Sequence, residues 1–269
     1  MTRETREKDK MPAFDIIGEV AVVEVPDGGN EKEIVKLIIK KHPRIKTVLG
    51  KAGGREGEYR TRKLKKIYGK DTVTEHREHG CRFRLDVDKV YYSPREATER
   101  QRIAEMVKKG ESVMVFFSGI GCFPVVIARK SPGVGIVYGI ESNPDGHDSA
   151  LENVRINKLG HLIVPVQGDV KEKARKYFGK CDRVVMPLPK EGYKYLSEAI
   201  RCIIKKTGGV VHFYFYEHEN DMFKESVKLV KDAARQTNKK VRILNKRKVL
   251  PYGPRVWKVC IDFRVCGSQ

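Results

Sequence analysis

The sequence predicts an α/β protein in which a doubly wound, largely parallel sheet follows a smaller α+β module. The first observation is that short apolar segments alternate with helical segments after residue 93, as in parallel sheets. The second is a glycine turn at residues 118–121, which lies between two apolar segments and precedes an acid, Glu141. The third is the different character of the residues before Pro94, which read as short charged strands around one amphipathic helix.

The N-terminal module is predicted over residues 13–92, after a flexible polar tail at residues 1–12. Residues 14–25 are strand-like with one glycine break, and residues 32–42 have apolar side chains at helical spacing. The other predicted elements are a short strand at 47–49, a glycine-rich charged loop at 51–58, a very basic segment at 59–68 and a hairpin with strands at 72–76 and 81–87.

The larger domain is predicted over residues 93–269. Its predicted strands are 113–117, 136–140, 163–167, 183–186 and 210–216, and its helical segments include 96–109, 147–158 and 193–206. The apolar run at 256–265 is predicted to add a late strand near an edge of the sheet, where an antiparallel strand can join parallel ones.

The charge balance points to a polyanionic partner. The chain of 269 residues has 55 Lys and Arg against 35 Asp and Glu, a net charge of +20. A surface rich in Lys and Glu, as in thermophiles, explains many charges but not this imbalance. We therefore expect a nucleic acid as the partner.

Several classes of protein are disfavoured by the sequence. The six cysteines form no C-x-x-C pair, so we expect no metal site and no disulfide framework. No stretch is long and apolar enough for a membrane span, and the charged N-terminus does not resemble a signal peptide. We predict a monomeric, cytoplasmic protein with reduced thiols.

The glycine turn and the acid after it predict a site for a nucleoside-like cofactor. Gly119 and Gly121 let the backbone approach a ligand, and Glu141 can accept hydrogen bonds from two ribose hydroxyls. The turn lacks the third glycine of a dinucleotide fingerprint and the lysine of a phosphate-binding loop. S-adenosylmethionine, which has no phosphate, fits such a turn. A structural tight turn and a solvated acid are the alternative readings.

Two more strand ends belong to the same predicted edge. Asp169 follows the third strand, where it can face an adenine ring, cap the next helix, or do both. Pro187 and Pro189 follow the fourth strand and fix an extended segment, which can form a pocket wall or a plain turn.

Two further segments carry residues suited to chemistry or to RNA. In residues 91–100, Ser-Pro opens a helix whose first turn holds Arg95 and Glu99, although acids there also favour a helix without any function. In residues 252–257, a tyrosine, an arginine and the only tryptophan lie together, which suits nucleobase stacking. A role as core anchor is equally consistent for Trp257.

Together these segments resemble the archaeal and eukaryotic tRNA (guanine-N1) methyltransferase family that modifies guanosine 37, and its relative, the wybutosine-pathway aminocarboxypropyl transferase. The resemblance covers most of the chain and keeps the order of the family's motifs. The seven segments that carry it are FDIIGEVA (14–21), GEYRTR (57–62), YSPREATER (92–100), FSGIGCF (117–123), NP (143–144), PLPK (187–190) and YGPRVW (252–257).

The resemblance implies a Rossmann-like class I methyltransferase fold, S-adenosylmethionine as cofactor and the anticodon arm of tRNA as partner. It implies Glu99 as the general base toward the guanine N1 proton, and Arg60 as the cation that stabilises charge on O6. Together with the residues identified above, the residues predicted to bind the cofactor are Arg95, Phe117, Gly119, Gly121, Glu141, Ser142, Asp169 and Pro187. The residues predicted to bind the RNA are Arg62, Lys190, Tyr252, Pro254 and Arg255.

The chain departs from the family pattern at three places. About a dozen residues precede the first segment, where full-length archaeal members carry a further domain, so we expect tRNA recognition to depend on the anticodon arm and on charge. Val115 stands where the family's first strand ends in an acid. Pro187 stands where the family has an asparagine, whose side chain can donate and accept at a guanine edge.

Three hypotheses of function follow. N1 methylation of guanosine 37 in tRNA is the first, and residues 188–190 and 252–255 resemble the methyltransferases more than their relatives. Aminocarboxypropyl transfer from the same cofactor to a tricyclic guanosine derivative is the second. The third, favoured by Val115 and Pro187, is a tRNA-binding paralogue with weakened catalysis.

Overall fold

A computed structural model describes residues 11–56 and 61–267, without the side chains of residues 54–56 and 61–62. The chain divides into two units, each of which is described separately. The first unit comprises the chain up to Glu78 together with Arg82–Pro94. The second unit comprises His79–Cys81 together with the chain from Arg95 onward. The predicted tail at residues 1–12 lies almost wholly outside the described residues.

The first unit is built on a four-stranded sheet and one helix. Its elements are β1 (Phe14–Ile17), β2 (Val20–Val23), α1 (Glu31–Lys41), β3 (Thr47–Glu56) and β4 (Thr61–Tyr68). The sheet has the order β1-β2-β3-β4, and only the β2–β3 pair is parallel. α1 connects those two strands, because a parallel pair needs a long crossover.

Local chemistry explains where α1 begins and how it packs. The side chain of Asn30 caps the helix by accepting from the backbone N–H of Lys32 at 3.1 Å. Ile34 and Ile38, one turn apart, are the buried residues of the helix. The core of the unit consists of Ala21, Val23, Ile34, Ile38, Ile45 and Val48.

The predictions for this unit are right for the helix and for the strands at 14–25, and wrong for the loop at 51–58. Residues 14–25 form two strands at the predicted glycine break, because Gly18 turns the chain with a φ of 56°. A Cβ on Gly18 would lie 2.3 Å from Thr74 Oγ1, so only glycine fits. The predicted loop at 51–58 continues β3 as far as Glu56, because pairing with β4 overrides its glycine content. The predicted hairpin is confirmed as β5 (Val73–Glu78) and β6 (Cys81–Asp86).

The second unit is a seven-stranded sheet with helices on its faces. Its strands are β7 (Ser112–Phe116), β8 (Ile136–Glu141), β9 (Ile163–Gln167), β10 (Arg183–Met186), β11 (Gly209–His218), β12 (Val241–Gly253) and β13 (Val256–Val265). Its helices are α2 (Ala97–Met106), α3 (Cys122–Lys130), α4 (Pro144–Ile156), α5 (Val170–Lys173), α6 (Leu196–Cys202) and α7 (Lys224–Gln236). The strand order is β12-β13-β11-β10-β7-β8-β9, and the strands from β11 to β9 are parallel. The predicted doubly wound sheet is therefore confirmed.

The late strand is also confirmed, with one addition. β13 pairs antiparallel with β11 on one side and with β12 on the other. The edge strand β12 was not expected, because its charged and proline-containing sequence does not alternate like a strand. Pairing with β13 along the strand, interrupted by three bulges, holds β12 in an extended conformation that its own sequence pattern does not predict.

One core cluster of the second unit lies between the sheet and helices α6 and α7. Its largest buried members include Met114, Phe116, Phe213 and Phe263, all fully inaccessible to solvent. In the described part of the chain, no helix is long and apolar enough to cross a membrane.

Candidate active site

The predicted cofactor residues gather at the carboxyl edge of the parallel strands. β7 runs into the glycine turn, β8 ends at Glu141, β9 is followed by Asp169, and β10 is followed by Pro187. Because these strands are parallel neighbours, their ends meet at one edge of the sheet. The order of the strands reverses between β7 and β10, which is where ligands bind in open α/β sheets.

The turn after β7 has a backbone conformation that favours glycine. Gly119 has a φ of 55° and Gly121 a φ of 81°, and Phe117 shares a positive φ of 53°. A Cβ on Gly121 would lie 3.3 Å from the Cβ of Ala150 on α4. The turn therefore presents backbone rather than bulky side chains at the sheet edge, as close approach to a ligand requires. The half-buried ring of Phe117 packs edge-on against Tyr195, with the centroids 5.0 Å apart.

Glu141 is the most strongly oriented acid at this edge. The Gly119 N–H donates to its Oε2 at 2.7 Å, and the Asn143 N–H donates to its Oε1 at 2.8 Å. Burial raises the pKa of Glu141, while the N–H groups of Asn143, Gly119 and Ser142 act in the opposite direction. Each oxygen retains a further lone pair, so the fixed carboxylate can accept from two neighbouring hydroxyls.

The strand ends after β9 and β10 carry the next predicted residues. Asp169 Oδ1 accepts from the Lys171 N–H at 2.7 Å, so the helix-capping role is confirmed and the adenine role stays a prediction. Pro187 is half-buried, and its carbonyl oxygen lies 3.5 Å from the Nζ of Lys258. Lys190 is exposed in the loop that follows.

The departure at Val115 has a clear structural setting. The side chain is fully buried next to the last residue of β7, where its register partners are Gly139 and Val185. The position is therefore part of the apolar core, and Glu141 is the acid that the neighbouring strand contributes to this edge.

Glu99 lies in the first turn of α2 and is buried within a charged cluster. Arg102 Nη2 donates to its Oε1 at 2.6 Å, and Arg102 Nε donates to its Oε2 at 2.9 Å. The Tyr214 hydroxyl also donates to Oε1, at 2.6 Å, and Arg247 Nε lies 3.5 Å from Oε2. Oε2 therefore accepts one hydrogen bond within 3.0 Å, from Arg102, whereas Oε1 accepts two.

A chain of buried polar groups continues from Arg102 across the sheet. Arg102 Nη1 donates to Asp262 at 2.7 Å, and the other Asp262 oxygen lies 2.6 Å from His212 Nδ1. Arg183 Nη1 lies 2.7 Å from His212 Nε2, and Arg183 Nε donates to Glu111 at 2.7 Å. Because arginine can only donate, Nε2 must accept, so His212 is neutral and carries its proton on Nδ1.

The pKa shifts in this polar chain agree with its geometry. Burial lowers the pKa of His212, and it outweighs the opposite influence of Asp262. Burial alone would raise the pKa of Asp262, but the hydrogen bonds from His212 and Arg102 hold that pKa well below its usual range. Burial works against the charge of Arg102, and the hydrogen bonds to Glu99 and Asp262 still raise its pKa.

Among the described residues, one group has the composition of a metal site. The ligand atoms of His212, Cys260 and Asp262 all lie within 4.8 Å of one another. Asp262 already accepts from His212, from Arg102 and from the Cys260 thiol. The guanidinium groups of Arg102 and Arg183 flank the group and disfavour a further cation there.

The remaining predicted residues lie in several places. Arg60 is outside the described residues, and Arg62 lies on β4 of the first unit, where only its backbone is described. Arg95 is exposed in the 3₁₀ turn Pro94–Glu96. The predicted RNA-binding residues of the C-terminal hairpin are all exposed, and they are Tyr252, Pro254 and Arg255.

Arg255 is engaged within the hairpin itself. Its Nε donates to Glu219 at 2.6 Å, and its Nη2 donates to the Asn220 side chain at 2.7 Å. These bonds tie the hairpin tip to the end of β11, so Arg255 stabilises the hairpin. Its predicted contact with RNA stays a prediction.

Sequence reasoning missed the residues that surround Glu99. They are Arg102, His212, Tyr214, Arg247, Lys258 and Asp262. A signal exists for four of them, because polar residues alternate with apolar ones in HFYFY (212–216) and in KVCID (258–262). That period of two places the polar residues on one face of the sheet.

Comparisons with known proteins identify relatives over most of the chain. A family model described as the TRM5/TYW2 methyltransferase domain matches residues 74–244, and the model of the TYW2 N-terminal domain matches residues 2–72. The chain is 40% identical to the tRNA (guanine(37)-N(1))-methyltransferase Trm5b of Pyrococcus abyssi, covering 94% of this chain and 74% of that protein. It is 33% identical to the tRNA(Phe) (4-demethylwyosine(37)-C(7)) aminocarboxypropyltransferase of Methanocaldococcus jannaschii, covering 91% and 95% respectively.

Solved structures give the same result. The complex of aTrm5 and tRNALeu is similar with a TM-score of 0.84 and 31% identity, over 98% of this chain and 74% of that one. M. jannaschii TYW2 in complex with AdoMet is similar with a TM-score of 0.75 and 26% identity, over 95% of this chain and all of that one. The matched family model spans more than half of the residues, and the sequence resemblance is confirmed. The chain belongs to the TRM5/TYW2 methyltransferase family.

Proposed function

We propose that the protein is an S-adenosylmethionine-dependent tRNA methyltransferase that transfers a methyl group to N1 of guanosine 37. The observation that carries the proposal is the presence, in one unit, of an oriented ribose acceptor, Glu141, and a buried carboxylate paired with a guanidinium, Glu99. The Pyrococcus abyssi relative bears this activity in its name.

The cofactor fits the residues at the carboxyl edge. Glu141 would accept from the ribose hydroxyls, and the turn at Gly119 and Gly121 would let backbone approach the ligand. The other residues proposed to bind it are Arg95, Phe117, Ser142, Asp169 and Pro187. When bound, S-adenosylmethionine supplies an electrophilic methyl group.

The protein's own contribution to the chemistry would be to move a proton and to stabilise charge. Guanine N1 is a weak nucleophile while it is protonated, and Glu99 Oε2 is proposed to take that proton. Arg102 and Tyr214 hold the carboxylate in place through hydrogen bonds to both of its oxygens. Binding would bring guanine N1 close to the carboxylate, so that the proton transfer takes place within one complex. Arg60 is proposed to stabilise the charge that develops on O6.

The RNA is proposed to bind through its anticodon arm. We infer that residues 13–92 form an RNA-positioning domain with Arg62, and that residues 93–269 form the catalytic domain. In the second, Lys190, Tyr252, Pro254 and Arg255 are proposed to contact the RNA. A net charge of +20 supports binding to a polyanion.

An assay with two labels on the cofactor tests the reaction. The protein is incubated with tRNA and with S-adenosylmethionine labelled on the methyl carbon or on the aminobutyrate carbons. We expect only the methyl label to enter the tRNA, and nucleoside mass spectrometry to identify 1-methylguanosine at position 37. Incorporation of the aminobutyrate label alone would contradict the proposal.

Aminocarboxypropyl transfer is the second candidate, because residues 2–72 match the TYW2 N-terminal domain. It would use the same cofactor in a different pose, and the aminobutyrate label detects it. The third candidate is a tRNA-binding paralogue with weakened catalysis, for which the buried Val115 and the half-buried Pro187 are the supporting observations. Micromolar binding of the cofactor in calorimetry would argue against a dead site.

A further inference from the structure

The C-terminal hairpin extends the sheet beyond the ends of its parallel strands. β10 ends at Met186, which is the register partner of Phe213, so residues 214–218 of β11 continue past it. β13 pairs with this part of β11, and β12 pairs with β13 up to Gly253. A three-stranded wall therefore stands at the carboxyl edge, beside the segment that begins with Pro187.

One face of this wall carries an aromatic pair close to Glu99. Tyr214, whose hydroxyl binds Glu99, and Tyr216 are two residues apart on β11 and so point to the same face. The ring of Tyr216 stacks on the ring of Tyr252, with centroids 4.0 Å apart and planes inclined by 29°. Tyr252 is 59% exposed, so most of this residue is accessible to solvent.

The same face carries a cation next to Glu99. Arg247 is the register partner of Cys260, and its Nε lies 3.5 Å from Glu99 Oε2 while 42% of its side chain remains exposed. The surrounding segment, residues 233–261, contains nine basic residues and no acidic one. Lysines and arginines on an edge strand also prevent sheet-to-sheet aggregation. That role does not explain an open, stacked tyrosine pair at the end of the strand.

We propose that the Tyr216–Tyr252 pair is a stacking platform for the nucleobase that flanks the target guanosine, and that Arg247 binds the phosphate between the two nucleotides. The inference rests on the proposed function, because that function requires the RNA to bind beside Glu99. An aromatic face next to a cation suits single-stranded RNA, because bases stack on the ring and the backbone follows the positive charge. The platform holds a neighbouring base while the target base is drawn out of the loop.

A double-mutant cycle of binding affinities, which combines a Tyr252 variant with an abasic RNA, tests the platform. Anticodon stem-loop RNAs are prepared intact, or with an abasic nucleotide on the 5′ or on the 3′ side of the target guanosine, and affinities are measured by fluorescence anisotropy. We expect one abasic RNA to bind the wild-type protein roughly 5- to 150-fold more weakly than the intact RNA. Tyr252→Ala should lose a similar factor on the intact RNA and lose nothing further on that abasic RNA. Tyr252→Phe should retain wild-type affinity, because the ring is kept.

The cycle separates stacking from a general effect on the fold. If Tyr252→Ala weakens the intact and both abasic RNAs by the same factor, or weakens none of them, the platform is ruled out. The measurement needs no turnover, so its outcome is independent of the labelled-cofactor assay that tests the reaction.

The phosphate contact is tested by salt dependence. Arg247→Gln should lower the slope of log affinity against log salt concentration by about 0.7 to 0.9. Arg242→Gln is the matched control, since Arg242 is exposed near the other end of the same strand. Equal slope changes in the two variants would show general electrostatics and overturn the contact.

Discussion

At the residue scale, Glu99 shows how the fold keeps a charge in its interior. Removing a carboxylate from water is costly unless it is paired and hydrogen-bonded. Arg102 supplies two donors and Tyr214 a third, and Asp262 orients Arg102 from its far side. The side chain proposed as the base is therefore held in one position by contacts that come from α2, β11 and β13.

The first prediction concerns Glu99→Gln. The glutamine keeps the size of the side chain but cannot take the N1 proton, so we expect the single-turnover rate of methylation to fall about 10²- to 10⁴-fold. Cofactor affinity, measured by calorimetry, should stay at the wild-type value. The control is Glu105→Gln, on the exposed side of the same helix. Methylation by Glu99→Gln at the wild-type rate would show that Glu99 is not the base.

The second prediction concerns His212 and pH. Its folded-state pKa is lowered by burial, so the unfolded chain binds a proton more readily below the ordinary histidine pKa. The contribution of His212 to the free energy of unfolding is fully present above about pH 6.5 and is lost as the pH falls below that value. We expect the loss to approach about 1.4 kcal/mol per pH unit from this group alone.

Urea unfolding of the wild type and of His212→Asn between pH 7 and pH 5 checks this expectation. The variant should start with a lower free energy of unfolding and decline less steeply with acidification. The other histidines are the same in both proteins, so the difference between the two slopes isolates His212. Parallel slopes would contradict a neutral, buried His212.

At the element scale, the glycine turn between β7 and α3 links the fold to the proposed cofactor site. The turn needs left-handed backbone at Gly119 and Gly121, and it places the Gly119 N–H on the Glu141 carboxylate. α4 packs close to the same turn, since a Cβ on Gly121 would come within 3.3 Å of Ala150. A small change in the turn should therefore affect both helix packing and the orientation of Glu141.

The third prediction concerns Gly121→Ala. A side chain at a φ of 81° costs about 1–2 kcal/mol in backbone strain, and the contact with Ala150 adds to this cost. We expect a lower free energy of unfolding and weaker binding of S-adenosylmethionine, measured by denaturation and calorimetry. Gly160→Ala is the control, because nothing lies within 4 Å of a Cβ there. Unchanged cofactor affinity in Gly121→Ala would separate the turn from the binding site.

At the scale of the whole molecule, the net charge of +20 governs how the protein meets its partner. Such a charge favours association with polyanions and speeds their encounter. The charge also contributes affinity that does not depend on the nucleotide sequence. Selective binding therefore needs local contacts as well, such as those proposed at the hairpin. The predicted monomeric state and cytoplasmic location stay predictions.

The fourth prediction concerns salt. If six to ten phosphates are neutralised, tRNA affinity should fall about 10³- to 10⁵-fold between 50 and 200 mM salt. Filter binding or anisotropy over that range measures the slope. Cofactor affinity, which is proposed to depend on Glu141 and on backbone contacts, should change little over the same range and serves as the internal control. A flat salt profile for tRNA would show that charge does not drive binding.

Individual elements show why prediction succeeded in some places and failed in others. β9, β10 and β13 match their predicted limits, because apolar runs bounded by polar or turn residues define them locally. β12 was missed, because its order comes from pairing with β13 and not from its own pattern. The position of Glu141 beside the glycine turn was predicted from its spacing, whereas its role at the cofactor stays a prediction. Lys258 was not predicted, because it is paired with Glu96, 162 positions away.

The sequence by itself determined the parallel sheet, the glycine turn with its acid, the family and the polyanionic partner. These features depend on short-range pattern, on ordered motifs and on composition, all of which can be read along the chain. Only the tertiary structure decided the surroundings of Glu99, the neutral state of His212 and the stacking of Tyr216 on Tyr252. These depend on contacts between residues up to 160 positions apart, which are set when α2, β11, β12 and β13 pack together.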